Sequence, residues 1–182
     1  MSIKTVKCDD AGLAAVADVL NSGGVAVIPT DTVYGLAASP EFPAAVERLY
    51  EIKGRDGGKP IAFLASGAAA TGISSPLARF WPGALTIVYG GVGYRVPDHR
   101  WTRALIEKCG GLLKVTSANL SGSDPATDIA SLAGAVEEVV DIVADGGPSR
   151  IGVPSTVVRI LEDGGIETLR RGAIEIDTEN AK

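Results

Sequence analysis

The 182-residue sequence has one histidine, two cysteines, no long apolar run and no surplus of positive charge. Each shortage removes a class of function. With His99 as the single imidazole, a zinc site built on several histidines is excluded, and a Ser-His-Asp machine would have to use that residue. His99 follows Pro97-Asp98, a setting that suits a turn or a helix start better than a catalytic base. Cys8 and Cys109 lie far apart with no CxxC or Cys/His neighbourhood. They could pair, but two isolated thiols in a reducing compartment is the favoured reading. The apolar stretches are broken by Gly, Pro or charge, and none approaches the ~20 residues of a membrane span. Met1-Ser2-Ile3-Lys4-Thr5 runs straight into charge, so no secretory leader is expected. Lys and Arg number 17 against 22 Asp and Glu, a net charge of −5. That argues against a broadly basic nucleic-acid clamp, though not against a local basic site.

What is present is a globular pattern of 46% hydrophobic and 21% charged residues, enough for one cored domain over residues 1–182. Strand-like and helix-like segments alternate. Asp9 or Asp10 caps a helix that runs to Leu20. Val25–Pro29 reads as a buried strand, and a polar loop starts at Thr30. Pro43–Lys53 has helical spacing, then Gly54–Pro60 is a charged glycine-rich loop. Ile61–Leu64 is a short strand, Pro76–Phe80 a helical turn, Leu85–Tyr89 a strand, and Tyr94–Val96 an extended segment. His99–Cys109 reads as a helix and Leu112–Thr116 as a strand. Asp128–Val136 is expected to be a helix and Val139–Val143 a strand. Thr156–Ile160 and Ile166–Leu169 form a closing hairpin around Glu162-Asp163-Gly164-Gly165. The mixture favours one α/β domain with a twisted, mixed sheet.

Four polar loops follow apolar strands, where α/β sheets collect ligands. Thr30-Asp31-Thr32-Val33-Tyr34 crowds three hydroxyl groups and a carboxylate together. Lys53, Arg55 and Lys59 sit in a glycine-rich setting that suits an anion but is not a Walker A loop, since Pro60 stands where its Ser/Thr belongs. Thr116-Ser117-Ala118-Asn119 offers neutral donors and acceptors. Pro154-Ser155-Thr156 precedes a β-branched strand. Each loop is open to a second reading as a turn or cap with local hydrogen bonds. Arg95 and Arg170 lie among apolar residues, and a buried arginine needs an anionic partner, either protein or ligand.

Taken in order, PTDTVYGL at Pro29–Leu36, Lys53-Gly54-Arg55 with Lys59-Pro60, WPGALT at Trp81–Thr86, RVPDH at Arg95–His99, TSANLSG at Thr116–Gly122, PSTVV at Pro154–Val158 and LRRG at Leu169–Gly172 resemble the YrdC/Sua5 family of threonylcarbamoyl-AMP synthases. The resemblance spans roughly residues 10 to 175 and implies a twisted open α/β sheet, flanked by helices, around a large concave cavity. It implies a cytoplasmic enzyme that condenses ATP, L-threonine and bicarbonate. N-carboxy-threonine attacks the α-phosphate, pyrophosphate leaves, and the threonylcarbamoyl adenylate passes to a transferase complex that modifies adenosine 37 of transfer RNA. Magnesium is expected with ATP, with no dedicated protein metal site.

By the same resemblance, Lys53 and Arg55 carry the chemistry. Lys53, Arg55, Lys59, Ser117, Asn119, Thr127 and Arg170 face the nucleotide, and Thr32, Tyr34, Arg95, Ser117 and Ser155 hold threonine. The sequence departs from the family pattern in short segments before Trp81 and Arg95, in Ala84 after WPG, and in Leu64 near the substrate. The additional C-terminal domain of the longer Sua5 form is not expected. Two alternatives stay open: a double-stranded RNA-binding or transfer-RNA-binding module with a weak contact of its own, and a related carbamoyl-adenylate enzyme without strict threonine selection.

Overall fold

The computed structural model describes residues 4–54 and 60–176. Its ten strands form one mixed sheet: β1 (Thr5–Lys7), β2 (Val25–Ile28), β3 (Gly35–Ala38), β4 (Ala62–Ala65), β5 (Leu85–Tyr89), β6 (Val92–Arg95), β7 (Leu112–Ser117), β8 (Ile142–Asp145), β9 (Thr156–Ile160) and β10 (Ile166–Arg170). The spatial order is β1-β8-β2-β3-β7-β4-β6-β5-β9-β10. Helices α1 (Asp10–Leu20), α2 (Pro43–Lys53), α3 (Arg100–Lys108) and the short α4 (Gly134–Glu137) flank it.

The strand β2 is buried along its whole length because both faces of the sheet are covered there. Ala26 and Ile28 pack with Val16, Leu20 of α1 and Leu105, Ile106 of α3. Val25 and Val27 pack with Ala45 and Leu49 of α2. That double burial is why β2 reads as an unbroken apolar run rather than an alternating one. A third cluster, with Leu77, Trp81, Leu85, Ile87 and Val158, covers the second side beneath β5 and β9.

Local chemistry sets the element ends. Asp9 caps α1, accepting from Gly12 N at 2.8 Å. Pro43 opens α2, and Gly54 stops it in the left-handed region at φ 60°, a conformation that suits glycine. His99 caps α3 through Nδ1, which lies 3.3 Å from Thr102 N, so the helix-start reading of the lone histidine holds in the fold.

Three expectations need correction. The polar loop beginning at Thr30 is short, and Gly35–Ala38 is a central strand between β2 and β7. Thr5–Lys7 is an edge strand parallel to β8. The helix expected over Asp128–Val136 does not form, and only Gly134–Glu137 is helical. Ser131 explains this: its hydroxyl accepts from Thr127 N at 3.0 Å and Asp128 N at 3.1 Å, while Ser131 N donates to Asp128 Oδ1 at 2.8 Å. Such side-chain bonds compete with the helical ladder.

Both thiols are free. Burial pushes Cys8 up to about 12, with Asp145 and Asp9 adding to the shift, and pushes Cys109 up to about 11. Both stay protonated and are poor nucleophiles near neutrality. Among the described residues no helix is long and apolar enough to cross a membrane.

Candidate active site

The face of the sheet that carries α1 and α3 is covered at one end only. Beyond those helices, strand register keeps the same side facing outward. Gly35 pairs with Ser117, Ala62 with Val115, Leu64 with Arg95, Val88 with Gly93, Thr86 with Val157 and Val88 with Arg159. Because side chains alternate along strands, these partners form one continuous surface. They floor a cavity of about 520 Å³, walled by Thr32, Tyr34, Pro60, Ser155 and Arg170. Small residues make the room. A Cβ at Gly35 would stand 2.6 Å from Val115 Cγ1, and one at Gly93 would stand 3.2 Å from Ala62 Cβ.

One end of the cavity is organised around Arg95, which is 6% exposed. Its Nε donates to Gly83 O at 2.9 Å and its Nη1 to Thr32 Oγ1 at 2.7 Å. Its Nη2 is ion-paired with buried Asp31. Burial lowers the proton affinity of Arg95, Asp31 raises it, and the like charge of Arg170 lowers it again. Thr32 is fixed by its neighbour, since Thr30 Oγ1 lies 3.0 Å from Thr32 Oγ1 and donates to Val33 O at 2.6 Å. The Ser155 hydroxyl lies 2.8 Å from Thr86 Oγ1. Arg170 docks on the same serine: Nη2 donates to Ser155 O at 2.8 Å and reaches Ser155 Oγ at 3.3 Å.

The other end rests on β7 and the loop after it. Lys53 is 3% exposed. Its Nζ donates to Asn119 Oδ1 at 2.7 Å, Ser117 O at 2.9 Å and Ser117 Oγ at 3.2 Å. Ser117 Oγ donates to Asn119 Oδ1 at 2.6 Å, and Asn119 Nδ2 donates to Ser123 O at 2.6 Å and Leu120 O at 2.9 Å. The helix stop at Gly54 delivers Lys53 to this position, and Ser121 N, bonded to Lys53 O at 2.9 Å, ties the two loops together.

Residues 18–172 match the Sua5/YciO/YrdC family, described as "Telomere recombination". The chain belongs to the Sua5/YciO/YrdC family. A threonylcarbamoyl-AMP synthase of Bacillus subtilis is 34% identical over 179 residues, which cover 85% of this chain and 52% of that one. The chain thus spans about half the length of that relative. Among solved structures, Pyrococcus abyssi Sua5 complexed with L-threonine superposes with a TM-score of 0.83 at 30% identity, covering 94% of this chain and 58% of that one. E. coli YciO superposes with a TM-score of 0.84 at 24% identity, covering 96% and 98%, a likeness of fold alone.

In this Sua5/YciO/YrdC chain the residues singled out from sequence fall into three groups. Thr32, Tyr34, Arg95, Ser117, Ser155 and Arg170 line the cavity together. Lys53 and Asn119 stand behind Ser117 rather than on the wall, so the direct contact with the nucleotide expected for Lys53 is not formed by the wall: its acceptors hold it inside. Thr127 is also off the wall, its carbonyl taken by Ser149 N at 2.7 Å. Arg55 and Lys59 lie outside the described residues. Tyr34 presents its ring, but its hydroxyl is engaged elsewhere, donating to Gly147 O at 2.7 Å and accepting from Gly146 N at 3.0 Å. Thr86, Gly93 and Arg159 were missed as wall residues. The alternation within Leu85–Tyr89 and Thr156–Ile160 was available to find Thr86 and Arg159, once the pairing of those strands was known.

Proposed function

We propose that this chain is a threonylcarbamoyl-AMP synthase. The observation that supports it most strongly is a single cavity joining Arg95, Thr32, Ser155 and Arg170 at one end to Ser117 at the other. L-threonine would place its carboxylate against Arg95, with Thr32 and Ser155 beside it. ATP would lie toward Ser117, Arg170 would reach it from β10, and Arg55 and Lys59 would add charge to its phosphates. Lys53 and Asn119 act through Ser117, which they fix from behind.

The reaction follows from that juxtaposition. The threonine amine forms a C–N bond to bicarbonate carbon and water leaves, giving N-carboxy-threonine. A carbamate oxygen attacks the α-phosphorus, a new P–O bond forms, and the bond to the β-phosphate breaks with release of pyrophosphate. No enzyme nucleophile is needed. Proximity and charge balance carry the rate. Magnesium would enter as the chelate of the triphosphate; among the described residues no group of three His, Cys, Asp or Glu side chains stands ready to hold a metal. The adenylate then serves a transferase that modifies transfer RNA in the cytoplasm, with any direct RNA contact weak given the net charge of −5.

The test is pyrophosphate release by the purified chain. It is expected only with ATP, L-threonine and bicarbonate together. Release that ignores threonine, or no release at all, would overturn the reading. Strong salt-sensitive RNA binding without ATP would favour an RNA-binding module instead.

A further inference from the structure

Arg95 faces a cavity suited to anions, yet its charge is already matched. Asp31 is 1% exposed and pairs with Nη2 of Arg95, while its second oxygen, Oδ2, has no hydrogen-bond partner. Asp31 is not part of the cavity wall. A buried carboxylate with one oxygen unsatisfied is costly, so its presence calls for a role. Orientation of Arg95 does not require it. Gly83 O at 2.9 Å from Nε and Thr32 Oγ1 at 2.7 Å from Nη1 already fix the guanidinium plane. What Asp31 alone supplies is negative charge.

The charges along the cavity are therefore uneven. Arg95 is neutralised by Asp31. Arg159 is bridged to Glu167 at 3.2 Å. Arg170 makes no ion pair among the described residues, and its hydrogen bonds go to Ser155. A neutral Arg–Asp pair still offers N–H groups to a carboxylate, but it exerts little net pull on a multiply charged anion.

We propose that Asp31 is a specificity-determining residue: by cancelling the charge of Arg95 it makes the site beside that guanidinium fit for a compact zwitterion, an α-amino acid, rather than for a polyphosphate anion. The inference rests on reading Arg95 as the partner of the amino-acid carboxylate. Without Asp31, a bare buried guanidinium would bind pyrophosphate, and the leaving product would compete with the amino acid.

Equilibrium dialysis of radiolabelled L-threonine against sodium pyrophosphate tests this. With the natural chain, pyrophosphate displaces threonine poorly. In Asp31→Asn, which keeps the shape and removes the charge, the inhibition constant of pyrophosphate against threonine should fall at least about tenfold, the scale of one unscreened charge near the site. Unchanged competition with threonine still bound would overturn the proposal. Failure of the natural chain to bind threonine would instead overturn the functional reading beneath it.

Should Asp31→Asn not fold, the double variant Asp31→Asn with Arg95→Gln replaces the buried pair by two neutral amides. Threonine binding should then drop at least about tenfold, while Mg-ATP affinity stays within about twofold, because the pair is electrically silent to the phosphates. A tenfold loss of ATP affinity would overturn the proposal by making Arg95 a phosphate ligand.

Discussion

Lys53→Met separates two roles for a lysine that sequence reasoning placed at an anion-binding loop. In the fold its Nζ is enclosed, and its acceptors include Asn119 Oδ1 at 2.7 Å and Ser117 O at 2.9 Å. Methionine matches the stem but donates nothing. Ser117 O then loses a charged donor, while Asn119 Oδ1 keeps the bond from Ser117 Oγ at 2.6 Å. Hydrogen bonds to charged groups contribute about 1.5–3 kcal/mol each, partly offset here by the burial of the methionine thioether, which leaves a net loss of roughly 3 kcal/mol. At about 2–4 °C per kcal/mol for a domain of this size, the melting temperature should fall by roughly 6–12 °C. Thermal unfolding followed by circular dichroism reads this directly, and pyrophosphate release on the same sample reads function. An unchanged melting temperature with activity abolished would refute the reasoning, because Lys53 would then be a phosphate ligand with no structural duty.

Tyr34→Phe removes the hydroxyl bonds to Gly147 O at 2.7 Å and Gly146 N at 3.0 Å, and a urea titration should show a loss of roughly 1–2 kcal/mol. Burial pushes the Tyr34 phenol up to about 12. The folded state therefore holds a proton that the unfolded chain gives up near its ordinary value of 10, so this share of stability fades as pH rises from 10 through 12 and is missing in the variant. Burial lowers the proton affinity of His99 below its ordinary 6.5. Acidification below that value protonates the unfolded chain first, so stability should fall with pH there, and His99→Asn should flatten that part of a stability profile measured between pH 5 and 7.5. Gly93→Val should weaken ligand binding at least about tenfold, since its methyls enter the cavity over Ala62 and Thr86, and should also lower the melting temperature, because its Cβ already stands 3.2 Å from Ala62 Cβ; binding unchanged would mean the ligands do not use this floor.

Elements that bury one stripe or one unbroken apolar run were legible in the sequence. Pro43–Lys53 forms the helix its spacing required, with Pro at the start and Gly54 at the stop, and Leu85–Tyr89 forms the strand its β-branched run suggested. Gly35–Ala38 was not legible, because Gly-Leu-Ala-Ala has no strand propensity of its own. It is a strand because β2 and β7 hydrogen-bond it from both sides and because only small residues fit beneath Val115. The Asp128–Val136 segment misled in the opposite direction. Its apolar spacing suits a helix, but the Ser131 hydroxyl bonds back to Thr127 N and Asp128 N, and that local preference is stronger than the spacing.

The candidate site shows the same division more sharply. Residue type alone marked Arg95 and Arg170 as needing anionic partners; the fold supplies Asp31 for buried Arg95, whereas Arg170 is exposed and docks on the neutral Ser155. What residue type could not convey was which polar groups face the cavity and which stand behind it. Thr32 and Asp31 are adjacent in sequence, yet only Thr32 is on the wall; Ser117 and Asn119 are two residues apart, and only Ser117 is. That sorting comes from how the loops after β2 and β7 are seated on the ten-stranded sheet, a long-range property that local sequence does not carry. The helices α1 and α3 cover one end of a continuous face, while glycine and alanine at Gly35, Ala62 and Gly93 keep the other end hollow. A cavity placed this way has a rigid floor of paired strands, so variation in amino-acid preference should reside in what lies on and just behind its walls, at Leu64, Thr86 and Asp31, rather than in the backbone that carries them.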